Sequence, residues 1–538
     1  MSLLQQPASP LQNSDGFRKW SIAITLFLGT LSVGLSVTAV NIAIPTMMSS
    51  FGTSLNRIQW VLTGFMITRT VLIPCVGWLG DRLGDRNVFL LSTTLFTAGS
   101  LLCSLSWNTE SLIFFRIIQG IGAGPLLGVA MAIMFEAFPR HERGLAMGLF
   151  MTGWSLGPFI GPILGGYLVE HVHWRAIFYI NLPTGLLSIV AGYYILPRTK
   201  SHASAAPLDA FGLVTMIGAT IALLLALSMG QEEGWSSRFI VGLFIGAAIL
   251  TALFLVAETS PKHPFLELGY FRNANFTIAN ILIFLRVFAF RGASFLVSLF
   301  LQRALNYSPT QAGIFLLPGA VITGVWSPLA GSLSDRLGPR IPIVSGFVIL
   351  FIAVYGLSTM TLWTTVTMIF VFLCLKSVGE SSLNAPLNTL ALGALPEGRA
   401  RMGSGIIGMS RGLGEAFVVG VFSFLLERSA YLNLYSIQPL QGAAFVASER
   451  FEALAHIRGL LIQAGQFAVA VEQRAESLLA HSLITQALAL AYQDLFFVIA
   501  LIYLGLMAIA FFLRVPKSRT DLGPDRHGGT ARNEARPL

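Results

Sequence analysis

The feature that most constrains this 538-residue chain is a series of fourteen apolar runs, each long enough to cross a lipid bilayer. A transmembrane helix needs about 20 mostly apolar residues to span the hydrocarbon core. The runs that meet this requirement are 20–45, 57–78, 87–106, 111–135, 145–168, 175–196, 210–229, 238–257, 276–302, 309–330, 341–360, 363–387, 402–426 and 490–513. They predict an all-α integral membrane protein with fourteen transmembrane helices.

The composition favours lipid rather than water as the solvent of this chain. Charged residues make up 11% of the sequence and apolar residues 54%, whereas soluble proteins carry about 25% charged residues. This is too little charge to cover a water-facing surface, which excludes a soluble enzyme and a nucleic-acid binder despite the net charge of +9. The high apolar fraction also excludes an intrinsically disordered chain.

Neither the cysteines nor the histidines indicate a metal or disulfide site. Cys75, Cys103 and Cys374 each lie inside an apolar run, without the spacing of a disulfide framework or of metal ligands. All eight histidines fall outside the runs, and we interpret His171 and His173 as solvated loop residues. We therefore predict no metal site and no cofactor.

Basic residues in the loops predict the orientation of the chain. The apolar run that follows Arg18 and Lys19 is too long for a cleaved signal peptide, so we interpret it as a retained helix. If both termini are cytoplasmic, 20 of the 34 lysines and arginines fall in cytoplasmic segments and eight in external loops. Such an excess marks the cytoplasmic side of a membrane protein.

A ten-residue loop sequence occurs twice. Residues 77–86 follow the second span and residues 331–340 follow the tenth, 254 positions later, with seven of ten residues identical. Parallel repeats are a transporter architecture, whereas a simple solvated turn would explain only one copy. The glycines permit tight turns, and an aspartate can accept hydrogen bonds from a helix N-terminus or pair with an arginine of the other half. We predict a cytoplasmic gating loop in each half, formed by Gly77, Asp81, Arg82, Gly84, Gly331, Asp335, Arg336 and Gly338.

Three further spans carry motifs that resemble a known family. The fourth span contains Arg116 before a glycine-rich segment, 120–124, and the sixth opens with 174–183. The fifth span contains small residues at four-residue spacing and a proline, namely Gly153, Gly157, Pro158, Gly161 and Gly165. With the two gating loops, these motifs resemble the major facilitator superfamily, and most closely its fourteen-helix drug:proton antiporter branch of multidrug exporters. The glycine stripe by itself predicts close helix packing, and the resemblance adds an occluding helix that favours export.

The resemblance implies a division of the chain into domains and a location. It implies the major facilitator fold, with one six-helix bundle in 18–200, two inserted transmembrane helices in 201–260 and a second six-helix bundle in 261–516. Residues 1–17 would be a cytoplasmic segment, and the polar tail 517–538 is predicted to be disordered. The implied location is the plasma membrane, which is the inner membrane in a Gram-negative cell.

One long loop, 429–489, is predicted to lie outside the membrane. Its composition, rich in Ala, Leu, Gln and Glu with dispersed charges, favours amphipathic helices such as 449–470 on or near the outer membrane face. A simple cap is one interpretation of this loop, and a docking surface for an adaptor protein is the other.

One position departs from the pattern of the branch. The first span contains Ser36, Thr38 and Asn41, and the branch usually has an acidic residue at the position of Ser36. A serine does not titrate at physiological pH, so the usual coupling carboxylate is absent. We retain these three residues as candidates for the substrate cavity. The resemblance also implies that Arg116 is linked to proton movement.

Eight charged residues lie inside the predicted spans and away from the span ends. Six are basic and two acidic, namely Arg69, Arg116, Arg286, Arg291, Lys376, Arg411, Glu380 and Glu415. A charge in the middle of the membrane costs about 2.5–3.5 kcal/mol on insertion scales, so such residues face a cavity or a partner. We take both glutamates, with Arg116 and Arg411, as candidates for proton coupling. The remaining basic residues, with Asn384, are candidates for the substrate cavity.

Spacing along the helices suggests partners for some of these charges. Lys376 and Glu380 are four residues apart, as are Arg411 and Glu415, which places each couple on one helix face, either as a self-neutralised structural pair or as part of the functional site. Arg286 and Arg291 are five apart, about 140° around a helix, so we do not expect both to point into one cavity. The excess of basic residues predicts a positive cavity. An anionic substrate would neutralise part of it, and the alternative is that the arginines are structural.

These features predict a secondary transporter that works by alternating access and uses a proton gradient as its energy source. It would export small amphipathic organic molecules, and its partners would be the substrate, protons and lipid, not nucleic acid. The alternatives are a transporter-like sensor or channel, and an importer of an organic anion. A membrane enzyme is not expected, because no nucleophile–base or metal grouping appears in the spans. A primary pump is disfavoured because the sequence lacks a phosphate-binding loop of the GxxxxGK[ST] type.

Overall fold

The structure is a computed structural model that describes residues 16–198, 209–259, 265–396, 398–437, 454 and 468–513. These residues form helices and no strand. The helices are α1 (Gly16–Phe51), α2 (Leu55–Leu83), α3 (Asp85–Ser104), α4 (Thr109–Ala137), α5 (Arg143–His171), α6 (Ala176–Ile195), α7 (Ala210–Glu233), α8 (Arg238–Thr259), α9 (Ala274–Ala304), α10 (Pro309–Leu337), α11 (Arg340–Ser358), α12 (Val366–Gly393), α13 (Ala400–Ile437) and α14 (Ala468–Ala510).

The predicted all-α membrane fold is confirmed. Thirteen of the described helices are long and apolar enough to cross a membrane by length and composition. The remaining predicted span corresponds to α5, which has 29 residues and packs inside the bundle against α1 and α10. Twenty-nine helical residues extend about 44 Å, so α5 is also long enough to span the hydrocarbon core.

The helices form two bundles that meet along two equivalent seams. In the first half α1 packs on α5 and α6, while α3 packs on α4 and α6. In the second half α12 packs on α10 and α11, and α9 packs on α13. The halves contact each other where α5 meets α10 and where α13 meets α2. The loops that were predicted to gate follow α2 and α10, so each gating loop lies at the end of one seam.

The inserted helices α7 and α8 pair with each other beside the second seam. Helix α7 contacts both α13 and α2, so it touches both halves. Its N-terminus is capped by Asp209, whose Oδ1 accepts a hydrogen bond from the Gly212 amide at 2.9 Å. A cap of this kind satisfies one of the amides that a helix start leaves without a partner.

The glycine stripe of α5 is the surface that packs on α1. A methyl group built on Gly157 would overlap the backbone of Gly34, and one on Gly161 would meet Thr38. Thr38 Oγ1 in turn donates to the Gly157 carbonyl at 3.5 Å. The outer members of the stripe, Gly153 and Gly165, face Thr30 and Ala39 of α1. Small residues therefore bring the two backbones together here. The Pro158 side chain lies outside the described residues.

The last two helices are longer than the sequence predicts. Helix α13 continues to Ile437, and α14 begins at Ala468 instead of near residue 490. The 43 residues of α14 correspond to about 65 Å of helix, roughly twice the hydrocarbon thickness. Residues 468–489 of the predicted external loop are thus a direct extension of a spanning helix, and the expectation of a separate surface helix is wrong for them. Most of the predicted amphipathic segment 449–470, and the tail 517–538, lie outside the described residues.

Hydrogen bonds join the extension of α13 to α14. Asp494 of α14 accepts from Ser429 Oγ and from Asn433 Nδ2 of α13, both at 2.8 Å. The first part of the α13 extension is therefore held against α14.

Candidate functional site

A cavity of about 1100 Å³ lies between the two halves. Helices α1 and α5 line it from the first half, and α9, α10, α12 and α13 line it from the second. The predicted candidates that line it are Thr38, Asn41, Arg286, Arg291, Lys376, Glu380, Asn384, Arg411 and Glu415. Its apolar walls include Trp154, Phe290, Leu317 and Leu373. An apolar cavity with a few converging polar groups is the usual form of a small-molecule site.

The lining of the cavity extends to exposed residues at one end of the molecule. They include Tyr167 and Glu170 near the C-terminus of α5, and Ile314 near the N-terminus of α10. We call this the open end. The gating loops lie at the opposite ends of α2 and α10, and we call that side the closed end.

At the closed end of the first seam, Asp335 of the second half caps a helix of the first half. Its carboxylate accepts hydrogen bonds from the amides of Gly144 at 2.7 Å and Leu145 at 2.9 Å, in the first turn of α5. A carboxylate at a helix N-terminus satisfies free amides and interacts favourably with the helix dipole. The contact crosses the two halves, so it must break when this end opens.

At the closed end of the second seam, Arg401 of α13 contacts two aspartates of the first half. Its Nη1 is 3.3 Å from Asp81 Oδ1, and its Nε is 3.4 Å from Asp85 Oδ1. The two gating loops thus make different but equivalently placed contacts, a helix cap in one seam and an ion pair in the other. The sequence alone suggested both types of contact without assigning either to a loop.

The glycines of the two gating loops have matching roles. Gly84 and Gly338 end their helices with φ of 79° and 82°, a region that favours glycine. Gly77 packs against Met402 and Gly331 against the backbone of Gly144, each across its seam. Of the arginines in these loops, Arg82 lies over the Trp78 ring at 5.4 Å, and Arg336 is exposed.

Two acidic residues at the closed end were missed in the sequence. Glu136, at the end of α4, lies near Asp85, Arg401 and Arg143, and its Oε1 is buried without a hydrogen-bond partner among the described residues. Glu142 pairs with Lys19 of α1 at 2.5 Å. Neither residue belongs to the repeated loop. The sequence feature that could have indicated them is an acidic residue at a helix boundary close to a predicted gating loop.

Glu380 pairs with Arg286 instead of Lys376. The Arg286 side chain of α9 reaches the carboxylate across the interior of the second half, and both residues are buried. Lys376 turns to α9 instead, where its Nζ donates to Ser294 Oγ at 2.6 Å and lies 3.8 Å from the centre of the Phe290 ring. The predicted Lys376–Glu380 pair is therefore wrong, because a neighbouring helix offers each group a partner that spacing on α12 does not reveal.

Glu415 is the acceptor of two arginines from other helices. Its Oε2 is 3.2 Å from Arg69 Nη2 of α2, and its Oε1 is 3.1 Å from Arg291 Nη2 of α9. Arg411, the predicted partner one turn away, donates to Asn388 Oδ1 at 3.3 Å. The predicted Arg411–Glu415 pair is therefore also wrong. Glu415 links the two halves, since Arg69 belongs to the first and Arg291 to the second.

Arg286 and Arg291 both line the cavity, contrary to the expectation from their spacing on α9. Each side chain is long enough to reach a glutamate on a different helix, Glu380 on α12 and Glu415 on α13. The angular separation of the two positions on α9 therefore did not prevent both guanidinium groups from reaching the cavity.

Arg116, Ser36 and Arg69 do not line this cavity. Arg116 is fully buried and donates to the Val61 carbonyl at 3.0 Å, to Ser36 Oγ at 2.9 Å and to Gln119 Oε1 at 2.6 Å. Arg69 is covered by Trp154, with its guanidinium 5.2 Å from the ring centre. Neutral oxygens and aromatic faces thus accommodate Arg116, while Arg69 depends on Glu415.

Comparison with known proteins gives consistent matches over most of the chain. The Major Facilitator Superfamily model matches residues 26–209 and 210–419. The multidrug export protein EmrB of Haemophilus influenzae is 28% identical over 505 residues, 92% of this chain and 96% of its own. The riboflavin transporter RibZ of Clostridioides difficile is 31% identical over 416 residues, 77% of this chain and 90% of its own.

A solved structure has a similar fold. The crystal structure of the human organic anion transporter MFSD10 (TETRAN) aligns with a TM-score of 0.58 over 90% of this chain and 99% of that one. The sequence identity is 14%, so the likeness concerns the fold.

Proposed function

Because this chain belongs to the Major Facilitator Superfamily, in its drug:proton antiporter branch, it is a membrane transporter, and we propose that it exports amphipathic organic molecules in exchange for protons. The export proteins among its relatives support the direction. The mixture of apolar walls and buried charges in the cavity supports an amphipathic substrate. Alternating access of this cavity would make the protein a secondary active transporter.

The observation that carries the proposal is the cavity between the halves, open at one end and closed at the other by contacts that cross the seams. Asp335 with the α5 amides, and Arg401 with Asp81 and Asp85, are charged contacts that can break and re-form. Rocking of the two bundles about a central site is how repeat-built transporters alternate access. In this proposal the structure corresponds to the outward-facing state.

The proposed orientation follows from the basic loops. The closed end contains the gating loops and the first turns of α5 and α13, where arginines are concentrated. Basic loops lie on the cytoplasmic side of membrane proteins. We therefore propose that the cavity opens away from the cytoplasm, in the plasma membrane, with both termini cytoplasmic.

We propose Glu415 as the carboxylate that couples protons to transport. Two arginines stabilise its charge, one from each half, so its protonation would weaken a contact that joins the halves. The other mid-span glutamate of the cavity, among the described residues, is Glu380, and its partner Arg286 lies within the same half. A change in the charge of Glu380 would therefore affect one bundle internally.

Transport in proteoliposomes tests the proposal. Purified protein is reconstituted with an imposed pH gradient, and the movement of fluorescent amphipathic probes, one cationic and one anionic, is followed. We expect a probe to be concentrated against its gradient, and the accumulation to vanish when a protonophore collapses the pH difference. A probe that merely equilibrates would indicate a channel, and no protein-dependent movement across a broad probe set would favour a sensor.

A further inference from the structure

Two cations of the cavity, Lys376 and Arg411, have no carboxylate within ion-pair distance among the described residues, and Arg411 donates to Asn388 instead. Lys376 is 3% exposed and lines the cavity wall formed by α12. Among the described residues, no carboxylate lies within ion-pair distance of its Nζ, because Glu380 is held by Arg286. A buried charge without a counter-charge is costly in the membrane and marks a functional site.

The protein positions the Lys376 ammonium without satisfying it. An ammonium has three donors, and in the described part of the chain only Ser294 Oγ receives a hydrogen bond from it. The Ser294 hydroxyl is itself fixed, since it donates to the Phe290 carbonyl at 2.9 Å. The face of the Phe290 ring stabilises the cation from one side. Two donors are therefore left for a group that enters the cavity.

A second cation lies beside this position. Arg291 lines the same cavity and is close enough to Lys376 for the two charges to repel each other. Its side chain is 40% exposed and uses Nη2 on Glu415, and an arginine has five donors in all. An anion between Lys376 and Arg291 would relieve the repulsion and accept hydrogen bonds from both.

The surroundings of the two cations favour an amphipathic anion over an inorganic one. Leu373, one turn away on α12, and Leu317 of α10 line the cavity next to them. Apolar walls of this kind bind an aliphatic or aromatic body through surface burial. Resting on the proposed transport function, we propose that Lys376, with Arg291, binds the carboxylate of an amphipathic organic acid in this cavity.

Binding of a matched pair of probes tests the inference. The probes are pyrenebutanoate and its neutral primary amide, which differ in charge but share the apolar body. The protein is the full chain in phosphatidylcholine nanodiscs, with empty nanodiscs as the blank and fluorescence anisotropy as the measurement. The variants are Lys376→Met, which removes the charge at similar length, and Lys376→Arg, which keeps it. Arg303→Gln, an exposed site at the open end that does not line the cavity, is the control for general electrostatic attraction.

We expect Lys376→Met to weaken binding of the acid about tenfold to a hundredfold, the usual effect of losing a charge-assisted hydrogen bond. Binding of the amide should change less than about twofold, and Lys376→Arg and Arg303→Gln should retain most of the affinity for the acid. Equal losses for acid and amide, or no loss for either, would overturn the inference. So would displacement of the acid by phosphatidylglycerol in the discs, because the site would then hold a lipid phosphate.

The binding result can be interpreted independently of whether the proposed transport function is correct. Binding is measured without a proton gradient, so a charge-selective loss supports the inference even if no transport is coupled to protons. Conversely, proton-driven export with unchanged charge selectivity in Lys376→Met would keep the proposed function and reject the inference. Each variant is compared only if its thermal stability matches that of the natural sequence, so that misfolding cannot imitate either result.

Discussion

At the scale of single residues, Ser36 changes the environment of a fully buried arginine. Arg116 has no carboxylate partner among the described residues and instead bonds to a carbonyl, an amide oxygen and the Ser36 hydroxyl. The Phe65 ring lies 4.1 Å from its guanidinium. Neutral acceptors compensate part of the desolvation of a buried charge, but less than an opposite charge would. The cation is thus held in place at a cost in stability.

Ser36→Asp should therefore stabilise the protein. A carboxylate at this position would replace a neutral hydrogen bond to Arg116 with a charged one, which is worth about 1.5–3 kcal/mol. The measurement is thermal unfolding in detergent, with an expected rise of several degrees. The matched control is Ser32→Asp on the same helix, where the hydroxyl donates to Thr184 and a new charge should destabilise. A lower melting temperature for Ser36→Asp would show that the neutral network is already optimal.

The two mid-span glutamates of the cavity should differ in their effect on coupling. We expect Glu415→Gln to uncouple probe movement from the pH gradient, because it removes the titrating group that joins Arg69 to Arg291. Glu380→Gln serves as the comparison, since its loss affects a pair inside one half. Proton-driven accumulation is measured for both in proteoliposomes. Uphill transport that survives in the Glu415→Gln variant would move coupling to another group or another ion.

At the scale of helices, two contacts between the halves hold the closed end, one a helix cap and the other an ion pair. Asp335 occupies the N-terminus of α5, where free amides and the dipole favour a negative charge. Arg401 lies near the start of α13 and reaches Asp81 and Asp85 of the other half. The interactions are individually modest, which suits contacts that must break in every transport cycle.

Asp335→Asn should weaken the closed end without unfolding the protein. Charge–dipole interactions of this type contribute roughly 0.3–2 kcal/mol, so we expect a severalfold rise in the time the closed end spends open. Alkylation of a cysteine introduced at Leu145, under the cap, is the measurement, and transport should fall in parallel. Asp81→Asn should act in the same direction through Arg401. The control is Asp494→Asn, which removes a contact between α13 and α14 away from both seams.

At the scale of the whole molecule, the sequence predicts the architecture well and the partners of its buried charges poorly. Long apolar runs specify spanning helices because lipid leaves few alternatives, so α1 to α12 appear where they were expected. The ends of α13 and α14 were misjudged because polar residues on a helix that leaves the membrane resemble those of a loop. The candidate gating loops were found in the sequence because the chain contains them twice. The cross-half position of Glu415, by contrast, depends on how α2, α9 and α13 converge, which no local pattern records.

The proposed topology leads to a further expectation for the whole chain. Ser429 lies on the extension of α13 at the open end, and position 518 falls in the C-terminal segment that is predicted to be cytoplasmic. Cysteines introduced at these two positions should react with a membrane-impermeant reagent from opposite sides of the membrane. The asymmetry of the basic loops is the physical reason. Reaction of both from one side would contradict the single span, α14, that is proposed to separate the two positions.

The central claim is that the cavity between the halves is open alternately to the two sides of the membrane. Double electron–electron resonance tests this claim by measuring the distance between two spin labels. One pair of labels is placed at the closed end and one at the open end, in a variant whose three cysteines are replaced. His141 and Arg336 report on the closed end, and Val172 and Trp363 on the open end; all four are exposed. We expect a shift in pH, or addition of a transported probe, to lengthen the distance at the closed end and to shorten the distance at the open end. Distances that stay fixed at both ends, or that lengthen together, would contradict alternating access.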